Sequence, residues 1–306
     1  MIRPPALHPG DIVALISPAG PLADEAELVR ACEAVRSLGF EPRPGRNAAR
    51  RDGYLAGSDD ERARDFNEAA RDPQVRGIFA LRGGYGTMRI LHALDYEALR
   101  NDPKVILGYS DLTAILNAVT ARAGLVTFHG PVAALSQFTP EVVAALRRAV
   151  CIAEPLGTFP IEDGATITGG RASGILRGGN LSLLAGLVGT PYAIALREAI
   201  LFVEEVGEAP YKIDRMLTQL RLSGAFAGLA GIAIGQCRDC DVDSEHVYAQ
   251  MPLARTLADR LGDLGVPVFT GARIGHIDEQ WTIPIGARAS IDAGVRTLRI
   301  DEPAVS

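Results

Sequence analysis

The first half of the chain alternates apolar runs with segments of helical periodicity, and this alternation constrains the fold more than any other feature. "DIVALISPAG", "VRGIFALRGG", "KVILGYSD" and "LVTFHGP" are short apolar runs that end in Gly, Pro or polar residues. "LADEAELVRACEAVRSLGF", "DDERARDFNEAARDP" and "LTAILNAVTARAG" carry apolar residues at helical spacing. Strands that alternate with helices indicate a parallel sheet covered by helices. We expect the strand ends that carry function to meet at one edge of that sheet.

The pattern changes after about residue 135, where regular alternation stops. "EPLGTFPIEDGATITGGRASG" is rich in Gly, Pro and Thr, which is typical of a domain boundary. Short strands such as "AILFVEEV", "GIAIGQ", "VPVFTG" and "WTIPIG" then mix with two helices, "YKIDRMLTQLRLSG" and "MPLARTLADRLGDLG". The sequence therefore predicts an N-terminal α/β domain over 1–145 and a mixed, β-rich α/β domain over 165–306.

Composition and charge exclude several classes of partner. The 306 residues are 47% hydrophobic, enough to bury the cores of two domains. The net charge of -6, with no basic run, argues against a nucleic-acid partner. No apolar stretch reaches the roughly 18 residues that a membrane span needs, and "HPGD" precedes a first strand rather than an export signal. We therefore expect a cytoplasmic protein.

Ser110 follows the apolar run "VILG" and precedes a helical segment. A strand that turns sharply into a helix presents the intervening side chain at the carboxyl edge of the sheet, which is the geometry of a nucleophile elbow. A hydroxyl there can attack a carbonyl if a base removes its proton. An ordinary helix N-cap is the alternative, because Ser and Asp are favoured caps. Leu112 also departs from the general G-x-S-x-G pattern.

The glycine-rich segment "LRGGYGT", residues 81–87, follows the preceding strand. Its backbone N–H groups could cradle a phosphate, form an oxyanion hole beside Ser110, or belong to a simple tight turn. The segment matches neither the P-loop nor the dinucleotide pattern.

Four histidines and two acids bear on the choice of a base. His129 ends a strand on the expected active edge, and His276 lies in a polar turn, "RIGHIDEQ". His92 lies in a helical apolar pattern that favours a packing role, and His246 lies in a charged loop. Glu204 and Glu205 end an apolar strand, where a carboxylate pointing inward could orient an imidazole. Solvated charge at a loop is the alternative.

Cys237 and Cys240 form a "CRDC" motif. The spacing could supply half a zinc site or a redox pair, but no second CxxC or nearby His pair completes a metal site. We expect reduced structural cysteines beside a strand end.

Seven motifs occur together and in order: "YLAGSDDERARDFN", "LRGGYGT", "GYSDLT", "HGP", "GGNLSLLAGLVGTPY", "EEVGEAPYKIDRML" and "GHIDEQWTIPIG". On these motifs the chain resembles the LD-carboxypeptidase family of serine peptidases, which includes the muramoyltetrapeptide carboxypeptidases. The resemblance implies a flavodoxin-like or amidotransferase-like N-terminal domain and a β-rich, swivelling C-terminal domain. It also implies a homodimer that cleaves the amide bond before the terminal D-alanine of peptidoglycan tetrapeptides, with no metal or organic cofactor.

The same resemblance implies the residues of the site. The nucleophile falls on Ser110, the acid on Glu204 and the base on His276. The N–H groups of Gly84 and Asp111 fall where the family has its oxyanion hole.

Two other functions remain open on the sequence. The microcin C immunity proteins, which cleave peptide-nucleotide antibiotics, resemble the same family, and Trp281 could serve as their aromatic platform, although packing in a strand is its alternative role. A non-catalytic protein that binds a small ligand in the glycine-rich cleft is the third reading. Arg82, beside the glycine turn, is a candidate for binding the substrate carboxylate.

Overall fold

The computed structural model describes residues 1–134, 138–241 and 251–306. The chain divides into two compact units. Unit 1 contains residues 1–154, 281–286 and 303–306, and unit 2 contains residues 155–280 and 287–302. Two segments from the C-terminal part of the chain thus belong to unit 1. His246 lies outside the described residues.

Unit 1 is built from alternating strands and helices. In chain order its elements up to residue 154 are β1 Ile12–Ile16, α1 Glu25–Ser37, β2 Glu41–Pro44, α2 Asp59–Arg71, β3 Val75–Ala80, α3 Thr87–Ile90, α4 Tyr96–Asn101, β4 Val105–Gly108, α5 Thr113–Ala123, β5 Thr127–His129 and α6 Pro140–Cys151. Short 3₁₀ turns cover Leu91–Ala93 and Ser110–Leu112. His92 lies in the first of these turns and is exposed. Its expected packing role is therefore wrong, because the helix ends at residue 90 and the ring turns to solvent.

The strands of unit 1 form one sheet of six. Its order is β12-β5-β4-β3-β1-β2, in which β12 is Ile283–Ile285. The pairs among β1 to β5 are parallel, and their order, 2-1-3-4-5, is that of flavodoxin-like sheets. β3 and β4 are buried almost throughout, which explains why they appear in the sequence as continuous apolar runs rather than as alternating ones. The expected α/β fold is confirmed.

The strand β12 was expected in the second domain but belongs to the first sheet. It pairs antiparallel with β5, and all three of its residues are buried. An apolar run of three residues carries no information about which sheet it joins, because the alternation of side chains specifies a face and not a partner strand.

Unit 2 is richer in strands. Its elements in chain order are β6 Pro155–Pro160, β7 Thr166–Thr168, β8 Arg171–Asn180, α7 Leu181–Gly186, β9 Ala199–Val206, α8 Pro210–Leu222, β10 Gly231–Arg238, α9 Leu253–Leu261, β11 Val268–Phe269, β13 Arg288–Asp292 and β14 Thr297–Pro303. They form an eight-stranded sheet in the order β6-β14-β13-β8-β9-β10-β11-β7.

The centre of the second sheet is parallel and its flanks are antiparallel. β8, β9, β10 and β11 run parallel, while β13 pairs antiparallel with β8 and β7 with β11. Leucine and isoleucine side chains of α7, α8 and α9 pack with those of β9 and β10 in one buried core. This core fixes β9 from one face, and β9 carries the two adjacent acids Glu204 and Glu205.

No helix in the part of the chain that the structure describes combines the length and the hydropathy needed to cross a bilayer.

The start of α2 is fixed by a capping box. The Ser58 hydroxyl accepts from the backbone N–H of Glu61, and the Glu61 carboxylate accepts from the backbone N–H of Ser58. Two N–H groups that a helix start leaves unsatisfied are thereby paired. We predict that Ser58→Ala lowers the free energy of unfolding by about 1 kcal/mol, measured by chemical denaturation.

Ser37→Ala is the control for this change. Ser37 ends α1, and its exposed hydroxyl donates only to the carbonyl of Ala34. We expect its effect to stay within about 0.5 kcal/mol. Equal effects of the two substitutions would contradict the capping role of Ser58.

Candidate active site

Ser110 stands at the carboxyl edge of the first sheet with its backbone in the left-handed region. Its φ is 62°, one of four positive values among the described non-glycine residues. Tyr109 before it is extended, and the 3₁₀ turn and α5 follow directly. Such a conformation is costly for a residue with a Cβ, and it concentrates at functional turns. An ordinary N-cap residue has a β-region backbone, so Ser110 does not have the backbone of an ordinary N-cap.

Close packing of glycines makes room for this turn. A Cβ on Gly108 would lie 2.8 Å from the Cγ of Leu112, and a Cβ on Gly83 would lie 3.0 Å from the Cβ of Ser110. Leu112, where the general elbow pattern has glycine, therefore packs against a glycine that precedes the serine. The sequence here differs from the G-x-S-x-G pattern, but the chain still passes from a strand through a turn into a helix.

The glycine turn of residues 83–86 lies directly beside the elbow. Gly84 and Gly86 have φ values of 113° and 127°, which side chains rarely allow. The N–H of Gly20, in the loop after β1, donates to the carbonyl of Gly83 at 3.0 Å. Loops from three neighbouring strands thus meet at the carboxyl edge, close to the point where the strand order reverses, and open α/β sheets bind ligands at this point.

Two hydrogen bonds join the glycine turn to the elbow. The backbone N–H of Thr87 donates to Oδ2 of Asp111 at 2.8 Å, and the Thr87 hydroxyl donates to the carbonyl of Asp111 at 2.5 Å. Burial raises the pKa of the Asp111 carboxyl, and its hydrogen bonds with Thr87 act in the opposite direction. The carboxylate of Asp111 therefore fixes Thr87 at the end of the glycine turn. The backbone N–H of Asp111 lies in the 3₁₀ turn that begins at Ser110.

Arg62 of α2 holds the other side of the glycine turn. Its side chain is fully buried, and Nη1 donates to the carbonyls of Pro18 and Gly86 at 2.6 and 2.9 Å. Asp59 pairs with the same guanidinium. Arg62 and Thr87 are not among the predicted site residues, although both lie in the quoted motifs, because neither contact follows from residue spacing.

In unit 2 the structure brings Glu204 and His276 together. Nδ1 of His276 lies 2.8 Å from Oε2 of Glu204. The carboxylate is completely buried at the end of β9, whereas the imidazole is 18% exposed. Burial raises the pKa of Glu204, and the hydrogen bond with His276 acts against that rise. A buried carboxylate that accepts from Nδ1 fixes the ring and leaves Nε2 as the atom able to take a proton.

Strand alternation separates the two adjacent acids of β9. Oε1 of Glu205 accepts from the side-chain amide of Asn180 at 2.8 Å, and Oε2 accepts from the backbone N–H and hydroxyl of Ser182 at 2.8 and 2.7 Å. Glu205 thereby fixes the start of α7, while Glu204 contacts the histidine. The choice between the two carboxylates, which the residues alone left open, favours Glu204.

The structure also locates the other candidate residues, of which His129 pairs with Gly108 across β4 and β5 and so lies close to Ser110. His129 is fully buried in β5, with its ring edge-on to Tyr109 at 6.1 Å between centroids. Arg82 is exposed and donates to the carbonyl of Pro21 at 2.8 Å. Trp281, half-buried, is the first residue of the segment 281–286 that belongs to unit 1.

Cys237 and Cys240 are free thiols at and just beyond the end of β10. Burial raises the pKa of the Cys237 thiol to about 12. Within residues 1–134, 138–241 and 251–306, no group of three or more His, Cys, Asp or Glu is placed to hold a metal ion.

Matches to known proteins place this fold and site in one class. Residues 13–130 match the LD-carboxypeptidase N-terminal domain, and residues 173–291 match the LD-carboxypeptidase C-terminal domain. A Bacillus subtilis relative, named "Probable murein peptide carboxypeptidase", is 36% identical, with 98% of this chain and 94% of the relative covered. The chain is therefore a peptidase by class.

Solved structures agree with this assignment. The muramoyltetrapeptide carboxypeptidase from Oxalobacter formigenes has a TM-score of 0.84 and 31% identity, with 95% of this chain and 99% of that chain covered. Microcin C7 self immunity protein MccF, in complex with aspartyl sulfamoyl adenosine, has a TM-score of 0.90 and 25% identity over the whole of both chains. The chain belongs to the LD-carboxypeptidase family.

The pair of His276 and Glu204 depends on a glycine. A Cβ on Gly275 would lie 2.7 Å from Oε2 of Glu204, and the φ of Gly275 is 116°. We predict that Gly275→Ala displaces the carboxylate and breaks its hydrogen bond with His276. The Nδ1 proton resonance of His276, measured by NMR on ¹⁵N-histidine-labelled protein, should then lose its downfield shift.

Gly265→Ala is the matched control in the same unit. Gly265 also has a positive φ, 72°, but nothing lies within 4 Å of a Cβ built there. It should lower stability by a similar backbone strain and leave the His276 resonance unchanged. A Gly275→Ala protein with an unchanged resonance would contradict the packing argument.

The raised pKa of Cys237 predicts an unreactive thiol. The thiolate is the form that reacts with iodoacetamide, and a pKa of about 12 leaves about one thiol in ten thousand ionised at pH 8. We expect Cys237 to stay unmodified in the native protein and to react after unfolding in guanidinium, as read by mass spectrometry. Fast native alkylation would instead indicate an activated cysteine.

Proposed function

We propose that the chain is a serine carboxypeptidase that cleaves the amide bond before the terminal D-alanine of peptidoglycan tetrapeptides. The observation that carries the proposal is the left-handed backbone of Ser110 at a turn between strand and helix, because this geometry is typical of nucleophile elbows. The substrate class is inferred from the relatives, two of which are named as murein peptide and muramoyltetrapeptide carboxypeptidases.

His276 is the proposed general base. Its Nε2 takes the proton of the Ser110 hydroxyl while the serine oxygen bonds to the carbonyl carbon of the substrate. The hydrogen bond from Nδ1 to Glu204 stabilises the imidazolium that forms. The same proton then passes from Nε2 to the leaving amine as the amide bond breaks. Water gives a proton to Nε2 and bonds to the acyl carbon, and the proton then passes from Nε2 to the serine oxygen as the ester bond breaks.

The N–H groups of Gly84 and Asp111 are the proposed oxyanion hole. They belong to two loops that are tied together by the bonds of Thr87 with Asp111. A donor of this kind contributes about 3 to 4 kcal/mol to transition-state stabilisation in other hydrolases. The negative charge on the carbonyl oxygen is thus held by backbone groups, and the proposed chemistry needs no metal or organic cofactor.

The preference for a D-configured terminal residue follows from the fixed line of attack. With the carbonyl oxygen in its hole, inversion of the terminal residue exchanges the positions of its methyl group and its carboxylate. The wrong isomer then clashes or leaves a charge unpaired, which costs several kcal/mol, on the order of the penalty for a buried unsatisfied charge. Arg82, next to the glycine turn, is the proposed partner of the terminal carboxylate.

An amide hydrolase of the microcin C type is the second candidate. The likeness to Microcin C7 self immunity protein MccF over the full length favours it. Both reactions attack a carbonyl with the same triad, so the substrate and not the mechanism separates them. We further propose, from the family resemblance, that the enzyme acts in the cytoplasm as a homodimer.

A matched pair of tetrapeptides tests the proposed reaction. We predict that the peptide ending in D-Ala releases alanine, and that the peptide ending in L-Ala has a kcat/KM lower by a factor of about 100 or more, since several kcal/mol separate the two. Released alanine is measured by mass spectrometry, and an aminoacyl sulfamoyl adenosine is assayed in parallel. Faster cleavage of the nucleoside conjugate would favour the second candidate.

Ser110→Ala is the control that identifies the nucleophile. It should leave the melting temperature unchanged and remove both turnover and labelling by a fluorophosphonate. Equal kcat/KM for the two tetrapeptides would contradict the LD specificity, and turnover by Ser110→Ala above a few per cent would contradict the serine mechanism. Absence of both turnover and labelling in the native enzyme would favour a protein that only binds its ligand.

A further inference from the structure

Thr87 is bonded to Asp111 by two different groups at once. Its hydroxyl donates to the Asp111 carbonyl and its backbone N–H donates to the Asp111 carboxylate, at 2.5 and 2.8 Å. Both residues are buried, with Thr87 at 0% and Asp111 at 2% exposure. Two bonds to separate groups of one residue fix both the distance and the orientation between the two backbones, which a single bond does not.

This pair of hydrogen bonds, called the clamp below, lies next to the proposed nucleophile in the sequence. Thr87 directly follows the glycine turn, and Asp111 directly follows Ser110. The two loops approach so closely that a Cβ on Gly83 would lie 3.0 Å from the Cβ of Ser110. Since the glycines of the turn have no side chains to anchor it, their conformation depends on restraints from outside. Thr87 supplies that restraint at one end of the turn.

Arg62 supplies the restraint on the carbonyl side. Its buried guanidinium donates to the Gly86 carbonyl at 2.9 Å, while the N–H of the next residue is held by the Asp111 carboxylate. The peptide group between Gly86 and Thr87 therefore accepts from a guanidinium at its oxygen and donates to a carboxyl group from its nitrogen. Hydrogen bonds to charged groups are stronger than neutral ones, so this peptide is rigidly oriented.

We propose that Thr87 is a positioning residue, which sets the spacing between the two backbone N–H groups that receive the oxyanion. The proposal rests on the function proposed above for Ser110, Gly84 and Asp111. Preorganised donors act only if they are held near 2.7–3.1 Å from the oxyanion, so a displacement of well under 1 Å lowers the rate of attack without loosening substrate binding.

Thr87→Val and Thr87→Ser separate the role of the hydroxyl from that of the side-chain volume. Valine keeps the shape and loses the donor, whereas serine keeps the donor and loses a methyl group. We expect Thr87→Val to lower kcat and the fluorophosphonate labelling rate by about tenfold or more, with KM within about twofold, because a lost oxyanion donor costs 10²–10³ and a displaced one somewhat less. Thr87→Ser should stay near the wild-type values.

Thr120→Val is the matched structural control. The Thr120 hydroxyl is buried in α5 of the same unit and pairs with the Thr127 hydroxyl at 3.0 Å. Its loss should lower the melting temperature about as much as Thr87→Val does, with kcat and labelling unchanged. Should Thr87→Val fail to fold, Thr87→Ala replaces it in the same comparison.

The outcomes distinguish the clamp from the function on which it rests. Wild-type kcat and labelling in Thr87→Val, or an equal loss in Thr120→Val, would overturn the positioning role while Ser110→Ala still abolishes labelling. Labelling of Ser110→Ala at the wild-type rate would overturn the proposed nucleophile itself, and the role of Thr87 with it. A kcat loss confined to Thr87→Val and recovered in Thr87→Ser supports the proposal.

Discussion

The left-handed backbone of Ser110 is the constraint on which the carboxyl edge of the first sheet depends. A non-glycine residue pays roughly 1–2 kcal/mol for that conformation, so the surroundings must hold it. Gly108 allows Leu112 to pack beneath the turn, and Gly83 leaves space for the Ser110 side chain. The bonds between Thr87 and Asp111 then fix the segment that follows. Strain at one residue is thus balanced by packing and buried hydrogen bonds around it.

Much of this arrangement can be predicted from the sequence, because periodic patterns report on local structure. Apolar runs that alternate with helical segments predict the parallel sheet, and the end of the apolar run at Gly108 predicts the turn at Ser110. Because adjacent residues of a strand face opposite ways, only one of Glu204 and Glu205 can face the histidine. The structure adds which one, because the partners of Glu205, Asn180 and Ser182, lie more than twenty residues away.

The features that could not be predicted are contacts between residues that are distant in sequence, because such contacts leave no periodic pattern in it. β12 joins the first sheet from residues 283–285, and nothing in an apolar triplet specifies the strand it pairs with. The same holds for Thr87 and Asp111, which are 24 residues apart and meet through one carbonyl and one carboxylate. Gly275 appears as an ordinary turn glycine until the side chain of Glu204 is placed against it.

Each unit contains a different part of the proposed catalytic residues. The bonds between Thr87 and Asp111 join residues of unit 1, and the bond between His276 and Glu204 joins residues of unit 2. Substitutions in separate, non-contacting networks usually have additive effects on stability, whereas members of one catalytic unit are strongly non-additive in rate. Thr87 and Gly275 lie in different units, so a double variant tests whether the residues of both units act as one catalytic unit: additive effects on unfolding together with a non-additive loss of kcat are expected if they do.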